Sequence, residues 1–207
     1  IGPDVFIPIA EETGNIVQLG EWVLDEACRS AATWPGTLSV AVNVSAVQFQ
    51  LGTLPDLVGR ILDRHGLCAS RLEIELTESA LMRDRGVILS VLNRLKAMGV
   101  RIAMDDFGTG NASLSNLRDF PIDKIKIDRS FVTALESDET ARSIVRAITG
   151  LGHSLSLPVL AEGVETENQL QLVRMEGCAQ MQGYLFGYPT SDPDPDATMA
   201  AMRKRAS

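Results

Sequence analysis

Aromatic side chains are scarce in this chain, at 5% of 207 residues, and histidine occurs only twice. His65 and His153 are too few for a His-rich zinc site, so any metal must be held by oxygen donors, which favours Mg²⁺, Mn²⁺ or Ca²⁺. The three cysteines, Cys28, Cys68 and Cys178, are scattered, odd in number and form no CxxC pair. That speaks against a disulfide framework and fits reduced thiols in a cytosolic protein. No apolar run approaches the roughly 18–20 residues that a membrane-spanning helix needs. The opening residues, Ile1-Gly2-Pro3-Asp4, lack a basic region followed by an apolar run, so no signal peptide is expected. They also lack an initiator Met, which suggests a fragment. Basic residues are outnumbered 19 to 27, for a net charge of −8. That balance disfavours broad contact with a nucleic-acid polymer, which needs clustered Lys and Arg. It leaves room for a small anionic ligand met through metal cations.

What is present is a 45% hydrophobic chain, sufficient to bury the core of one domain over residues 1–207. Short runs rich in Val, Ile and Leu mark candidate strands at Leu38–Val44, Arg71–Leu76, Val100–Met104, Lys124–Ile127, Pro158–Ala161 and Gln180–Leu185. They read as mostly apolar on both faces, as parallel strands covered by helices do. Helical spacing links Leu81, Ile88, Val91, Leu92 and Leu95, and again Ile144, Ile148, Leu151 and Leu155. Thr166-Glu167-Asn168-Gln169 fits a capping box. The tail, Ser191 to Asp196, reads as a surface turn opening a last helix over Ala197–Arg205. The alternation predicts an α/β fold with a parallel sheet. No Gly-rich phosphate loop follows the first strand, which favours a (β/α)₈ barrel over a doubly wound sheet. Six strands are visible where a barrel takes about eight, so the first two are expected upstream of Ile1.

These runs end in unusual residues. The first closes on Asn43, the second on Glu75 with Glu78 beyond it, and the third on Asp105-Asp106. The fourth carries Lys126 and Asp128, the fifth ends at Glu162 with Glu165 after it, and the sixth bears Gln182. In a barrel all strand exits share one face, where active sites are built. Convergent carboxylates repel unless cations neutralise them. Asn43, Glu75, Asp105, Asp106 and Glu162 therefore read as an oxygen-ligand cage for one or two divalent metals. Metal pairs clamp in-line displacements at phosphorus and acidify bound water. Lys126 would hold that water or offset phosphate charge.

The bland alternative is a set of helix caps and solvated loop carboxylates, and for any single residue it is the commoner outcome. Six polar residues in register after apolar runs are hard to explain by capping. Glu78 and Glu165 suit capping or loop bracing as well as metal contact. Asp123 and Asp128 suit pairing with Lys124 or Arg129, and both histidines read as structural. Phe107-Gly108-Thr109-Gly110 reads as a mobile loop beside the Asp pair.

Taken together, these segments resemble the EAL family of cyclic-di-GMP phosphodiesterases. The resemblance is carried by Phe6-Ile7-Pro8-Ile9-Ala10-Glu11-Glu12-Thr13-Gly14, Asn43-Val44-Ser45-Ala46, Glu75-Leu76-Thr77-Glu78 and Asp105-Asp106-Phe107-Gly108-Thr109-Gly110. It continues through Lys126-Ile127-Asp128-Arg129-Ser130-Phe131, Ala161-Glu162-Gly163-Val164-Glu165 and Gln182-Gly183-Tyr184-Leu185-Phe186, in family order. It implies a TIM-like barrel of modified EAL type, with its first strand antiparallel. It implies Mg²⁺- or Mn²⁺-dependent hydrolysis of cyclic-di-GMP to linear pGpG, with Ca²⁺ inhibiting. By position, Asn43, Glu75 and Asp105 would be metal ligands, and Asp106 and Glu162 would complete the metal and water shell. Lys126 would position water, Glu162 would serve as a general base, and Gln182 would orient water or ligand. Glu78 would brace the loop Asp106–Leu114, through which the resemblance implies a homodimer, and Asp128 would support the ligands. The implied setting is the cytoplasm, without membrane contact by the domain itself. The Glu-Ala-Leu signature and a downstream phosphate-binding Arg are absent, and are expected upstream of Ile1; a barrel with that gap would expose a strand edge. Asn111-Ala112 stand where the family usually has Tyr-Ser.

Two other functions compete with the phosphodiesterase. One is a catalytically inactive domain that binds cyclic-di-GMP as a sensor. The other is a metal-dependent barrel enzyme acting on a different phosphate or an enolisable substrate. Degeneration usually removes metal ligands, and every expected ligand in the covered region is present, which favours the enzyme.

Overall fold

The computed structural model describes residues 1–81, 84–110, 114–190 and 195. The chain forms two compact units, Ile1–Met104 with Asn111–Asp123, and Asp105–Gly110 with Lys124–Ser207.

The first unit opens with helices α1 (Pro3–Thr13) and α2 (Ile16–Ala32), followed by strand β1 (Val40–Asn43). Helices α3 (Ala46–Gln50) and α4 (Leu54–His65) lead to β2 (Leu72–Thr77). Then come α5 (Glu78–Leu81), α6 (Arg85–Ala97), β3 (Arg101–Phe107) and α7 (Leu114–Asp119). Proline at the start of α1 costs nothing, because the first amides of a helix lack partners within it. β1 and β2 pair in parallel, from Val40 opposite Leu72 to Asn43 opposite Glu75. Leu24, Cys28 and Ala31 of α2 are fully buried, and Val58, Ile61 and Leu62 of α4 are nearly so. Arg71 joins α2 to β1 by donating to the carbonyls of Ala31 (2.7 Å) and Leu38 (2.6 Å). His65 has the expected structural role, with Nε2 3.0 Å from Asp25 Oδ1 across α2 and α4.

The second unit takes the last residues of β3 and adds β4 (Lys124–Ile127), α8 (Arg129–Ala134), α9 (Glu139–Leu155) and β5 (Val159–Ala161). It closes with α10 (Glu167–Met175) and β6 (Gln180–Met181). β4 pairs in parallel with β5, and β5 with β6. The capping box at Thr166 and Gln169 forms as expected, and Asp128 and Asp138 cap α8 and α9 by accepting backbone amides.

All six expected strands occur, with corrections to their faces and ends; the sixth stops at Met181 rather than Leu185, so Gln182 lies beyond it. β1 and β5 are mostly apolar on both faces as expected, but β2, β3 and β4 are not. In β2, Leu72, Ile74 and Leu76 alternate with Glu73 and Glu75, and all five are buried. The same alternation sets Ile102 and Met104 against Arg101 and Asp105 in β3, and Ile125 and Ile127 against Lys124 and Lys126 in β4. Successive side chains of a strand point to opposite faces, so β2 and β4 each have one aliphatic face and one polar face, while in β3 Ala103 lies between Arg101 and Asp105. The third strand also does not end at Met104; it runs through both aspartates to Phe107. Leu81 falls in α5, apart from the α6 residues grouped with it by spacing, and Asp84 caps α6 through the Val87 amide. The expected last helix, and Asn111-Ala112, lie outside the described residues.

Candidate active site

In the second unit, β3, β4 and β5 each deliver one charged side chain to a common point. Lys126 of β4 is 3% exposed. Its Nζ lies 3.1 Å from Asp105 Oδ2 and 2.6 Å from Glu162 Oε1. Glu162 follows β5 directly, and its amide donates to the Ile127 carbonyl at the end of β4 (3.2 Å). Asp105, Asp106 and Glu162 each offer a carboxylate oxygen, and these oxygens lie within 4.8 Å of one another.

Asp106 is the strained member of the group. Its φ is 54°, in the left-handed region that a non-glycine residue rarely adopts. Its amide donates to the Asp105 carboxylate at 3.0 Å. Burial, then the negative charges of Asp105, Asp128 and Glu162, and a hydrogen bond with Asp128 push its carboxyl up to about 6. Asp128 in turn accepts the Ser130 amide at 2.9 Å and the Ser130 hydroxyl.

Gln182 follows β6, and its backbone is stitched to the β5 exit. Its amide donates to the Ala161 carbonyl (2.9 Å), and its carbonyl accepts from Val164 (3.0 Å). Gly183 makes this approach possible, since a Cβ there would stand 2.2 Å from the Val164 carbonyl oxygen.

In the first unit, Asn43 and Glu75 are paired neighbours across β1 and β2, and the Val44 amide donates to the Glu75 carbonyl at 2.9 Å. Glu75 is buried, as is Glu78, the first residue of α5. A cleft of about 800 Å³ in this unit is lined by Asn43, Ser45, Gln48 and Glu11 among aliphatic side chains of α1 and α2. Asp123 donates nothing to a site: its carboxylate accepts from Lys96 (2.5 Å) and from the Ile102 amide (2.8 Å).

Thus Asp105, Asp106, Lys126 and Glu162 come together, Asn43 and Glu75 stand side by side, and Gln182 is tied by its backbone next to Glu162. One ammonium among three carboxylates leaves negative charge in excess, which adds to burial in raising Asp106. A hard divalent cation fits such an all-oxygen donor set. Glu11, within the segment Phe6–Gly14, carries no local sign of a role. Its partner, Ser45, is 34 positions away, and no local pattern signals such a pairing.

The model of the EAL domain family matches residues 1–189. An uncharacterized signaling protein of Caulobacter vibrioides is 52% identical over 100% of this chain and 27% of its own length. The bifunctional diguanylate cyclase/cyclic di-GMP phosphodiesterase MucR of Pseudomonas aeruginosa is 48% identical over 91% of this chain and 28% of its own length. A solved MucR phosphodiesterase in complex with c-di-GMP superposes with a TM-score of 0.89 at 48% identity, over 92% of this chain and 78% of that one. The chain spans about a quarter of the length of the relatives it matches. It belongs to the EAL domain family and has that family's α/β, TIM-like fold.

Proposed function

We propose that this domain hydrolyses cyclic-di-GMP to linear pGpG in the presence of Mg²⁺ or Mn²⁺. The observation that carries the reading is the buried Lys126 ammonium held between Asp105 and Glu162, with the protonation-prone Asp106 beside them. It is supported by the likeness to MucR, whose name records cyclic di-GMP phosphodiesterase activity.

Asn43, Glu75, Asp105, Asp106 and Glu162 would hold the metal, which when bound supplies positive charge to a phosphoryl oxygen and acidity to a water. Lys126 donates to the attacking water and keeps it in line with phosphorus. Glu162 accepts the proton of that water as the new P–O bond forms. The bond from phosphorus to the 3′ oxygen breaks, that oxygen takes up the proton held by Glu162, and the product carries a 5′ phosphate. Gln182 orients water or ligand, and Glu78 braces the loop after Asp106, through which two copies pair. The setting is the cytoplasm; among the described residues no helix is long and apolar enough to cross a membrane.

The test is incubation of the full-length protein with cyclic-di-GMP and Mg²⁺ or Mn²⁺, with the product resolved by chromatography. Formation of pGpG, suppressed by Ca²⁺, is expected. Binding without turnover would transfer the assignment to a sensor, and turnover of other phosphodiesters alone would refute the substrate.

A further inference from the structure

We propose that Glu11 is a positioning residue for Asn43, acting through Ser45. This rests on the reading of Asn43 as an oxygen ligand. Glu11 lies in the last turn of α1, and its Oε1 accepts the Ser45 hydroxyl proton. Ser45 follows Asn43 by two residues and caps α3. Its Oγ accepts the Val47 amide at 3.2 Å, and its own amide donates to Gln48 Oε1 at 3.2 Å. A serine hydroxyl has one proton to give. Giving it to Glu11 leaves the oxygen lone pairs for Val47, so the carboxylate fixes the cap.

The rest of the turn is enclosed. Gln48 is buried, and a Cβ on Gly20 of α2 would stand 2.1 Å from its Nε2. On the other side, the Val44 amide is held by Glu75. Asn43 itself is exposed and has only a short side chain, so its amide goes where the backbone of this turn puts it. α1 buries none of its residues. Apolar packing therefore does little to fix that helix, and the Glu11–Ser45 bond is a specific tie between it and the β1 exit. Removing a partner bonded to a ligand itself typically costs about 10–100-fold in metal affinity, and Glu11, which acts through the Ser45 turn, is set at the lower end.

The experiment measures Mn²⁺ affinity by calorimetry in the metal-free full-length protein, with melting temperature recorded beside it. Asn43→Ala is expected to weaken Mn²⁺ binding. Glu11→Ala is expected to weaken it about tenfold. Glu11→Gln keeps an acceptor oxygen for Ser45 and is expected to recover most of that loss. Ser45→Ala should match Glu11→Ala, with the double variant no worse than either. A lower melting temperature with unchanged Mn²⁺ affinity in Glu11→Ala, or additive losses in the double variant, would overturn the inference. If Glu11→Ala does not fold, the Ser45→Ala and Glu11→Gln affinities decide in the same way. Unchanged affinity in Asn43→Ala would instead sink the reading of Asn43 as a ligand, and this inference with it.

Discussion

Lys126 Nζ stands 2.6 Å from Glu162 Oε1 and 3.1 Å from Asp105 Oδ2, with the lysine side chain 3% exposed. Breaking a buried ion pair by deleting one partner leaves the other charge unpaired, typically at a cost of about 3–5 kcal/mol. Lys126→Met keeps the length of the stem and removes the ammonium. The metal-free variant is expected to lose about 3 kcal/mol in urea unfolding, and turnover is expected to fall by about 100-fold or more. Full activity in a folded Lys126→Met protein would remove the lysine from the chemistry.

The raised Asp106 gives a pH dependence whose sign is fixed. Its carboxyl sits near 6 in the folded protein against 3.8 ordinarily. Between those values the native state holds a proton that the unfolded chain has released. Its contribution to stability is therefore full below about 3.8 and is lost as pH rises through about 6. Metal-free protein is expected to show that decline in chemical denaturation, and Asp106→Asn to flatten it. Saturating Mg²⁺ should abolish it, because cation binding displaces the proton. A metal-free profile that is level across the window in the wild-type chain would contradict the electrostatic account.

Much of the fold and site is legible in the sequence, while the faces and ends of the strands depend on tertiary context. Leu-Glu-Ile-Glu-Leu and Lys-Ile-Lys-Ile alternate with period 2. Glu75 and Lys126 stand out because they lie near the ends of these runs, and Glu73 and Lys124 share their faces two residues earlier. Aspartate is poor in strands, yet Asp105 and Asp106 carry β3 past Met104 and take partners in Lys126 and Asp128. The capping box at Thr166 needed only local rules. The Glu11–Ser45 bond depends on tertiary packing, which no short window contains.

Asn43 and Glu75 are paired across β1 and β2. Glu75→Ala is expected to abolish Mg²⁺-dependent turnover while circular dichroism stays native. Glu78→Ala, at the start of α5, should lower turnover several-fold and weaken self-association by sedimentation. Retained activity in Glu75→Ala removes it as a ligand, and unchanged kinetics and self-association in Glu78→Ala remove the bracing role.

Gly183 offers a probe that touches no charged group. The turn after β6 passes so close to Val164 that an added Cβ would meet its carbonyl oxygen at 2.2 Å and its nitrogen at 2.3 Å. Both atoms are backbone, so the strain of Gly183→Ala can be relieved only by moving one chain from the other. That movement breaks or stretches the bonds joining Gln182 to Ala161 and Val164, which flank Glu162. Overpacking of this kind costs about 1–3 kcal/mol, and misplacement by about 1 Å near reacting groups costs about 100-fold in rate. Gly183→Ala is therefore expected to fold with a lowered melting temperature and to lose turnover by about 10–100-fold, the loss lying in kcat more than in KM. A variant that melts lower yet turns over at the wild-type rate would show that the β6 turn serves stability alone.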